Sequence, residues 1–403
     1  MNKITTIHAR EIADSRQKPT LEVTVEAGSF SGSFAMPSGA STGVWEACEL
    51  RDHEGGMSLA LEKIDTVIAP ALIGMDVGGQ AAVDVKMCEL DGTEQKKNLG
   101  GNTILGVSLA TARCAAIASG QELYTYLRTL ETIPTSRKTP LLYLNYINGG
   151  KHAHSPIAFQ EHMLVPRMDS VAEALLCAQK ISGALEEILR TNYGEETARS
   201  MGDEGGYVMP AAGYTVPFEL LVQAIAQAGF EGKVDIAIDV AATSFYDNGV
   251  YAVDGKAHDS HSMTSLYRRL IADFPILSIE DPFYEEAFAD FAYLKKELPT
   301  KIVGDDLTVT NVKRLQMAID AEAISALIIK PNQIGTLTET LATMKLARAN
   351  NIDCIVSHRS GETMDDFVAD LAFAFGAFGL KAGALRKPER KVKYDRLAVI
   401  SRH

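Results

Sequence analysis

Residues 275–306 read PILSIED-PFYEEAFADFAYLKKELP-TKIVGDD, a short apolar run closing on acids, a stretch with helical spacing, and a second apolar run closing on acids. That alternation is one βα unit and the opening of the next. The pattern continues outward as DIAID (235–239), ALIIKPN (326–332), CIVSHRSGE (354–362) and FGLKAG (378–383). Between the polar residues that end successive runs, Glu280 to Asp305 and Asp305 to Lys330 are 25 residues each, Lys330 to His358 is 28, and His358 to Lys381 is 23. Asp239 to Glu280 takes 41, and the surplus holds SFYDNGVYAV (244–253), an Asn-Gly hairpin signal inserted between units. The repetition predicts a β/α barrel, in which strand C-terminal ends share one mouth and active sites sit there. Asp239, Glu280, Asp305, Lys330, His358 and Lys381 are therefore expected to converge.

Upstream, ITTIHAREIADSR (4–16) and LEVTVEA (21–27) alternate and are followed by GSFSGSFAMP (28–37), which predicts a small antiparallel sheet. From about Gly56 to Tyr126 the spacing turns helical, with Leu59, Ile64, Val67 and Ile68 on one face and Asn102 placed to cap ILGVSLATARCAAIA. TLETIPTSRKTP (129–140), with two prolines and a Ser/Thr cluster, is the linker. The expected organisation is an α+β capping domain over 1–130 and a barrel over 140–403. The 403 residues suffice for both, since ~250 form one barrel.

Hydrophobic residues make up 46% and charged residues 23%, which excludes global disorder. Lys plus Arg number 39 against 52 Asp plus Glu, and the net charge of -13 argues against a dedicated nucleic-acid binder. Five cysteines (48, 88, 114, 177, 354) without CxxC spacing indicate neither zinc site nor disulfide framework and fit a reducing cytoplasm. The N-terminus reaches charge too soon for a signal peptide, and the most apolar stretch, Leu371 to Leu380, is ten residues, so no membrane insertion is expected.

Three strand-end carboxylates, Asp239, Glu280 and Asp305, are about as many hard oxygen ligands as a protein offers one Mg²⁺. A single strand-end Asp more often caps the next helix; three in succession favour a divalent cation. Lys330 closes ISALIIK, where burial and a nearby cation would disfavour its charged form and leave a general base. Lys381 reads as a second cation for a carboxylate or phosphate, or as a structural ion pair. Arg359, Ser360 and Gly361 precede a helix expected to start near Thr363, which suits a phosphate. His358 is a donor, an acid, or simply a packed histidine.

In GDEGG (202–206) and FQEHM (159–163), Glu204 and Glu161 could face each other, the charge of one raising the pKa of the other into the range of a general acid. PSGASTG (37–43) has the small residues of a lid and lacks the pattern of a phosphate-binding P-loop. His152 and His154 are two apart, so at most one faces a ligand. His258 and His261 read as a surface loop. RKPERKVKYDR (386–396) reads as a solvated helix face, its basic residues interspersed with Glu389 and Asp395.

Taken together, the chain resembles the enolase family along nearly its whole length. The resemblance is carried by AREIADSRQKPTLEVTV, PSGASTG, LGGNTILGVSLA, INGGKHAHSPIAFQEHM, GDEGG, SIEDPF, VGDDLTVTN, IIKPNQIGTLTET, SHRSGETMDD and GLKAGAL in this order. It implies an α+β N-terminal domain followed by an eight-unit barrel, and reversible dehydration of 2-phospho-D-glycerate to phosphoenolpyruvate. It further implies that Asp239, Glu280 and Asp305 bind the tighter of two Mg²⁺, the second arriving with substrate and joined by Ser41 as the lid closes. Lys330 would take the proton alpha to the carboxylate, and Glu204, assisted by Glu161, would protonate the departing hydroxyl. His152 and Gln160 would line the substrate site, His358 and Lys381 would surround the substrate, and Arg359 with Ser360 would hold its phosphate.

The partners implied are a small phosphorylated acid and further copies of the chain, as a homodimer or higher homo-oligomer, in the cytoplasm with a secondary presence at the cell surface. Enolases are a known instance of a lysine base acting with Mg²⁺, so that pairing is agreement with a known case. Gln17 and Lys18 stand where the family has Gly-Asn, and Lys387 and Pro388 replace Arg-Ser. The alternatives are a paralogue acting on a related phospho- or phosphonate acid and a non-catalytic surface or RNA-processing binding protein, because a matched site does not determine one function.

Overall fold

The computed structural model describes residues 2–39, 45–153, 155–210 and 213–402. Strands Thr6–Ala13, Pro19–Ala27 and Phe30–Ala35 form an antiparallel meander with Thr6 opposite Glu26 and Glu22 opposite Ala35. Alternation buries Leu21, Val23 and Val25, and helix Gly101–Ala118 covers the sheet. The approach is close: a Cβ on Gly106 would stand 2.6 Å from the Val23 side chain, and one on Gly32 only 2.2 Å from the Cys114 backbone nitrogen.

Asn102 does not cap that helix. Gly100, at φ 94°, makes the entry turn, a conformation open to glycine at little cost. Asn102 lies inside the first turn and closes a two-way hydrogen bond with Leu50, accepting from its N–H at 2.9 Å and donating to its carbonyl at 3.1 Å. Its amide anchors the segment that follows PSGASTG.

Eight strands among the described residues close into a barrel: Leu141–Asn148, Glu161–Pro166, Val234–Asp239, Ile276–Glu280, Lys301–Gly304, Ala326–Ile329, Asp353–Ser357 and Gly379–Lys381. The last pairs with the first, Gly379 opposite Leu141. From Val234 onward neighbours run parallel, as the βα repetition predicts. Glu161–Pro166 differs. It runs antiparallel to both neighbours, with Glu161 opposite Asn148 on one side and Asp239 on the other. Glu161 thus opens its strand at the same end where the parallel strands close theirs, and reaches the mouth by the opposite route.

The barrel runs are almost wholly apolar because both faces are buried. Leu141, Tyr143, Met163, Val165, Ala237, Val303, Ala326, Ile328 and Ile355 fill the interior, while Leu142, Leu144, Leu164, Ile236, Ile238, Leu327 and Ile329 meet the surrounding helices. The inserted hairpin is present: Asp247 pairs with Val250 across Asn248 and Gly249, both at positive φ, as its tight turn requires.

The N-terminal part sits over the mouth. Ser38 and Gly361 exchange backbone hydrogen bonds at 2.8 and 2.9 Å, and Asp14 holds Arg16 and Ser38 beside them. Among the described residues no single helix is long and apolar enough to cross a membrane.

Candidate active site

The predicted strand-end groups do meet at the barrel mouth. One cavity there is lined by His152, Gln160, Glu161, Glu204, Asp239, Asp305, Lys330, His358, Arg359, Ser360 and Lys381, with Glu46, Lys151, Asp281 and Asp306 among its other walls. Glu280 is buried at the end of its strand and reaches the same group through Lys381. Ser41 and His154 lie outside the described residues.

The carboxylates are held by ammonium groups. Lys381 Nζ donates to both oxygens of Glu280 at 2.8 Å and to Asp239 Oδ2 at 3.2 Å, and stands 3.3 Å from Glu161 Oε1. Lys330 Nζ donates to Asp305 Oδ2, whose other oxygen accepts from Gln333 at 3.0 Å. Gln160 donates to Asp239 at 3.3 Å. Burial and the charge on Asp239 push the Glu280 carboxyl well above its ordinary range.

That frustration of negative charge fits a cation. Asp239 and Glu280 already share one nitrogen at hydrogen-bond distance, and Mg²⁺ asks the same oxygens to close to ~2.1 Å. The groups among the described residues whose ligand atoms all lie within 4.8 Å of one another are different sets: Asp281, Asp305 and Asp306, and His152, Glu161 and Glu204.

Lys330, expected as a neutral base beside a bound cation, is paired with Asp305. Burial disfavours its charge, but Asp305 outweighs burial and holds the amine above its ordinary value. In turn, burial raises Asp305 but Lys330 holds it below the usual carboxylate range. The strand-end position is legible in the sequence; the side chain's immediate partner is not.

On the other wall, Glu161 and Glu204 flank His152, whose Nδ1 is 3.6 Å from an oxygen of each. Two buried carboxylates this close resist double ionisation. Burial and the charge of Glu204 push Glu161 well above the usual range. Burial also opposes ionisation of Glu204, but His358 and His152 outweigh it and hold Glu204 well below the usual range. Asn145, unsuspected from sequence, donates to Glu204 Oε2 at 3.0 Å.

Arg359 and Ser360 are both buried. Arg359 donates to Glu46 at 2.9 Å and to Asn332 at 3.1 Å, and the Ser360 hydroxyl accepts from Arg16 at 3.4 Å. The expected helix start near Thr363 is displaced: the helix is Phe367–Ala374, so its N-terminus lies beyond the Arg-Ser pair. Glu46 carries no motif that sequence reasoning could have used, since its role depends on a residue more than three hundred positions away.

The basic stretch is the largest departure. Helix Pro388–Ile400 buries Arg390, Lys393 and Tyr394 rather than exposing a solvated face. Residues 390, 393, 394, 397 and 400 are the buried ones, and that helical spacing was the available signal had the long basic side chains been counted as core. His258 and His261 take no part in a potential metal group among the described residues.

Comparisons with known proteins agree in outline. The family models described as "Enolase, N-terminal domain" and "Enolase, C-terminal TIM barrel domain" match residues 4–127 and 136–403. A protein named enolase from Methanopyrus kandleri is 45% identical over 98% of this chain and 95% of its own length. Those from Thermococcus kodakarensis and Methanocaldococcus jannaschii are 44% and 43% identical, each over 98% of this chain and 94% of their own.

Proposed function

Because the chain belongs to the enolase family, we propose that the mouth of its barrel carries out the reversible dehydration of 2-phospho-D-glycerate to phosphoenolpyruvate, with Lys330 as the base and the Glu161–Glu204 pair as the proton donor. The protein is a phosphopyruvate hydratase, a lyase. The observation that carries the assignment of roles is the separation of two opposed proton-handling groups in one cavity: Lys330 on one wall, and Glu161 with Glu204 on another. Glu161 opens a strand four steps from that of Lys330 round the eight-stranded ring, and Leu141–Asn148, which holds Glu204 through Asn145, is three steps from it.

Removing a proton beside an ionised carboxylate builds further negative charge, and bound Mg²⁺ supplies the positive field that this charge requires. Asp239, Glu280 and Asp305 would hold the tighter ion; a second, arriving with substrate, and Ser41 belong to the same proposal. Lys330 takes the C2 proton once its link to Asp305 is relaxed. Glu204 delivers a proton to the departing hydroxyl, which leaves as water, and Glu161 is the store from which that proton comes, the two titrating as a pair. Arg359 and Ser360 hold the phosphate, His152, Gln160 and His358 line the substrate, and Lys381 faces its charged end. Assembly as a homodimer or larger homo-oligomer and residence in the cytoplasm complete the reading.

The test is the ultraviolet absorbance of the enol phosphate after adding 2-phosphoglycerate with magnesium and then with chelator. A rise that chelation abolishes is expected, and no metal-dependent rise would refute the reading.

A further inference from the structure

Among the described residues Arg390 is the largest fully buried side chain, and it lies in a stretch whose charge pattern predicts a solvated face. A buried guanidinium persists where most of its donors are spent on good acceptors. Its Nη1 donates to His358 Nδ1 at 2.6 Å and to the Arg359 carbonyl at 2.5 Å, and Nη2 donates to the Ser360 carbonyl at 2.6 Å and the Asp203 carbonyl at 3.2 Å. One side chain therefore ties the loop of the phosphate residues to the loop of Glu204.

The bond to His358 carries more than position. Arginine has donors and no acceptor, so His358 Nδ1 must be the unprotonated nitrogen. A neutral imidazole then bears its hydrogen on Nε2, and burial keeps the ring neutral by pulling its pKa down to about 4. Nε2 stands 3.2 Å from Glu204 Oε2 without completing a hydrogen bond. Asn145 donates to that same oxygen, while Oε1 is the one nearer His152. Asn145 and the Nε2 edge of His358 thus both crowd Oε2, and Oε1 is the oxygen left to carry the working proton.

We propose that Arg390 is a positioning residue for the acid step: by fixing the Nε2–H tautomer of His358 it makes Oε2 of Glu204 the anchored oxygen and Oε1 the proton-delivering one. In the opposite tautomer the Nε2 lone pair would face the carboxyl and draw its proton onto Oε2, away from the substrate. Arg390 transfers no proton itself. The proposal rests on the roles of Glu204 and Lys330 in the proposed dehydration.

The test combines a spectrum with a partition of the reaction. Long-range proton–nitrogen correlation on the full-length protein labelled with ¹⁵N-histidine, assigned by comparison with His358→Gln, is expected to show His358 protonated at Nε2 only. In Arg390→Met both tautomers should appear, and dehydration should fall about 100-fold while deuterium exchange at C2, which reports Lys330, stays within about threefold of wild type. Arg390→Lys, which keeps a donor, should recover part of the loss. A proton on Nδ1 in the wild type overturns the proposal, as does an unchanged tautomer in Arg390→Met. A fall of exchange and dehydration in step would show a structural role and overturn it too. Should Arg390→Met not fold, the wild-type spectrum and Arg390→Lys decide alone. If the wild type fails to dehydrate 2-phosphoglycerate yet shows the stated tautomer, the functional reading fails and the tautomer geometry stands.

Discussion

Lys330 donates its ammonium to the carboxylate of Asp305, which follows the neighbouring strand of the barrel. The amine proposed as the base is thus held as a cation by a residue proposed to hold the metal. Proton abstraction requires that charge on Asp305 be turned to another cation. Lys330→Ala should bind 2-phosphoglycerate within about tenfold of wild type yet lose C2 exchange by about 100-fold or more, measured by deuterium wash-in. Retained exchange would move the base elsewhere.

The Glu280 carboxyl is pushed upward by burial and by Asp239, a strain that a divalent cation held by the strand-end acids, as proposed, would relieve. Glu280→Gln should weaken Mg²⁺ binding by about 100-fold in titration calorimetry, the upper end of what losing even a supporting group costs. Unaltered affinity would exclude Glu280 from the ion's shell.

Glu46 and Arg359 join the N-terminal part of the chain to the phosphate loop, and their side chains are only 4% and 6% exposed. Removing one partner of a buried ion pair costs about 3–5 kcal/mol. Glu46→Gln is expected to lower unfolding free energy by that amount in urea and to raise KM for the phosphorylated substrate. A loss below about 0.5 kcal/mol, the scale of an ordinary surface substitution, would mean that the pair is not stabilising.

His162 is buried against Phe159 and Phe218, its Nδ1 3.4 Å from the Ile147 carbonyl. Burial pulls its pKa from 6.5 to about 4. The folded protein binds this proton less readily than the unfolded chain, so the stabilisation is complete above pH 6.5 and is lost as pH falls toward 4. The difference of about 2.5 units corresponds to about 3 kcal/mol. Urea midpoints between about pH 7 and 4 should fall more steeply for wild type than for His162→Gln, and parallel slopes would contradict this.

Reading the chain alone was enough for the barrel, because a strand buried on both faces must be an apolar run and a strand ending at a shared mouth must end in a polar group. Those are local demands, and Asp239, Glu280, Asp305, Lys330, His358 and Lys381 satisfy them in order. The N-terminal meander was legible for the same reason, through alternation across Leu21, Val23 and Val25.

Only the folded chain decided which charge each group carries. Burial and the charge of Glu204 push Glu161 upward while the neighbours of Glu204 hold it down, and no spacing records that. Glu161 itself reaches the mouth from an antiparallel strand, which a pattern of two alternating faces cannot distinguish from a parallel one. Arg390 looked solvated because charge in sequence is taken as exposure, whereas four acceptors from three loop residues and a histidine gave it a place in the interior. Periodicity is a property of neighbours along the chain, and desolvation and charge pairing are properties of neighbours in space, so the first could be read and the second had to be seen.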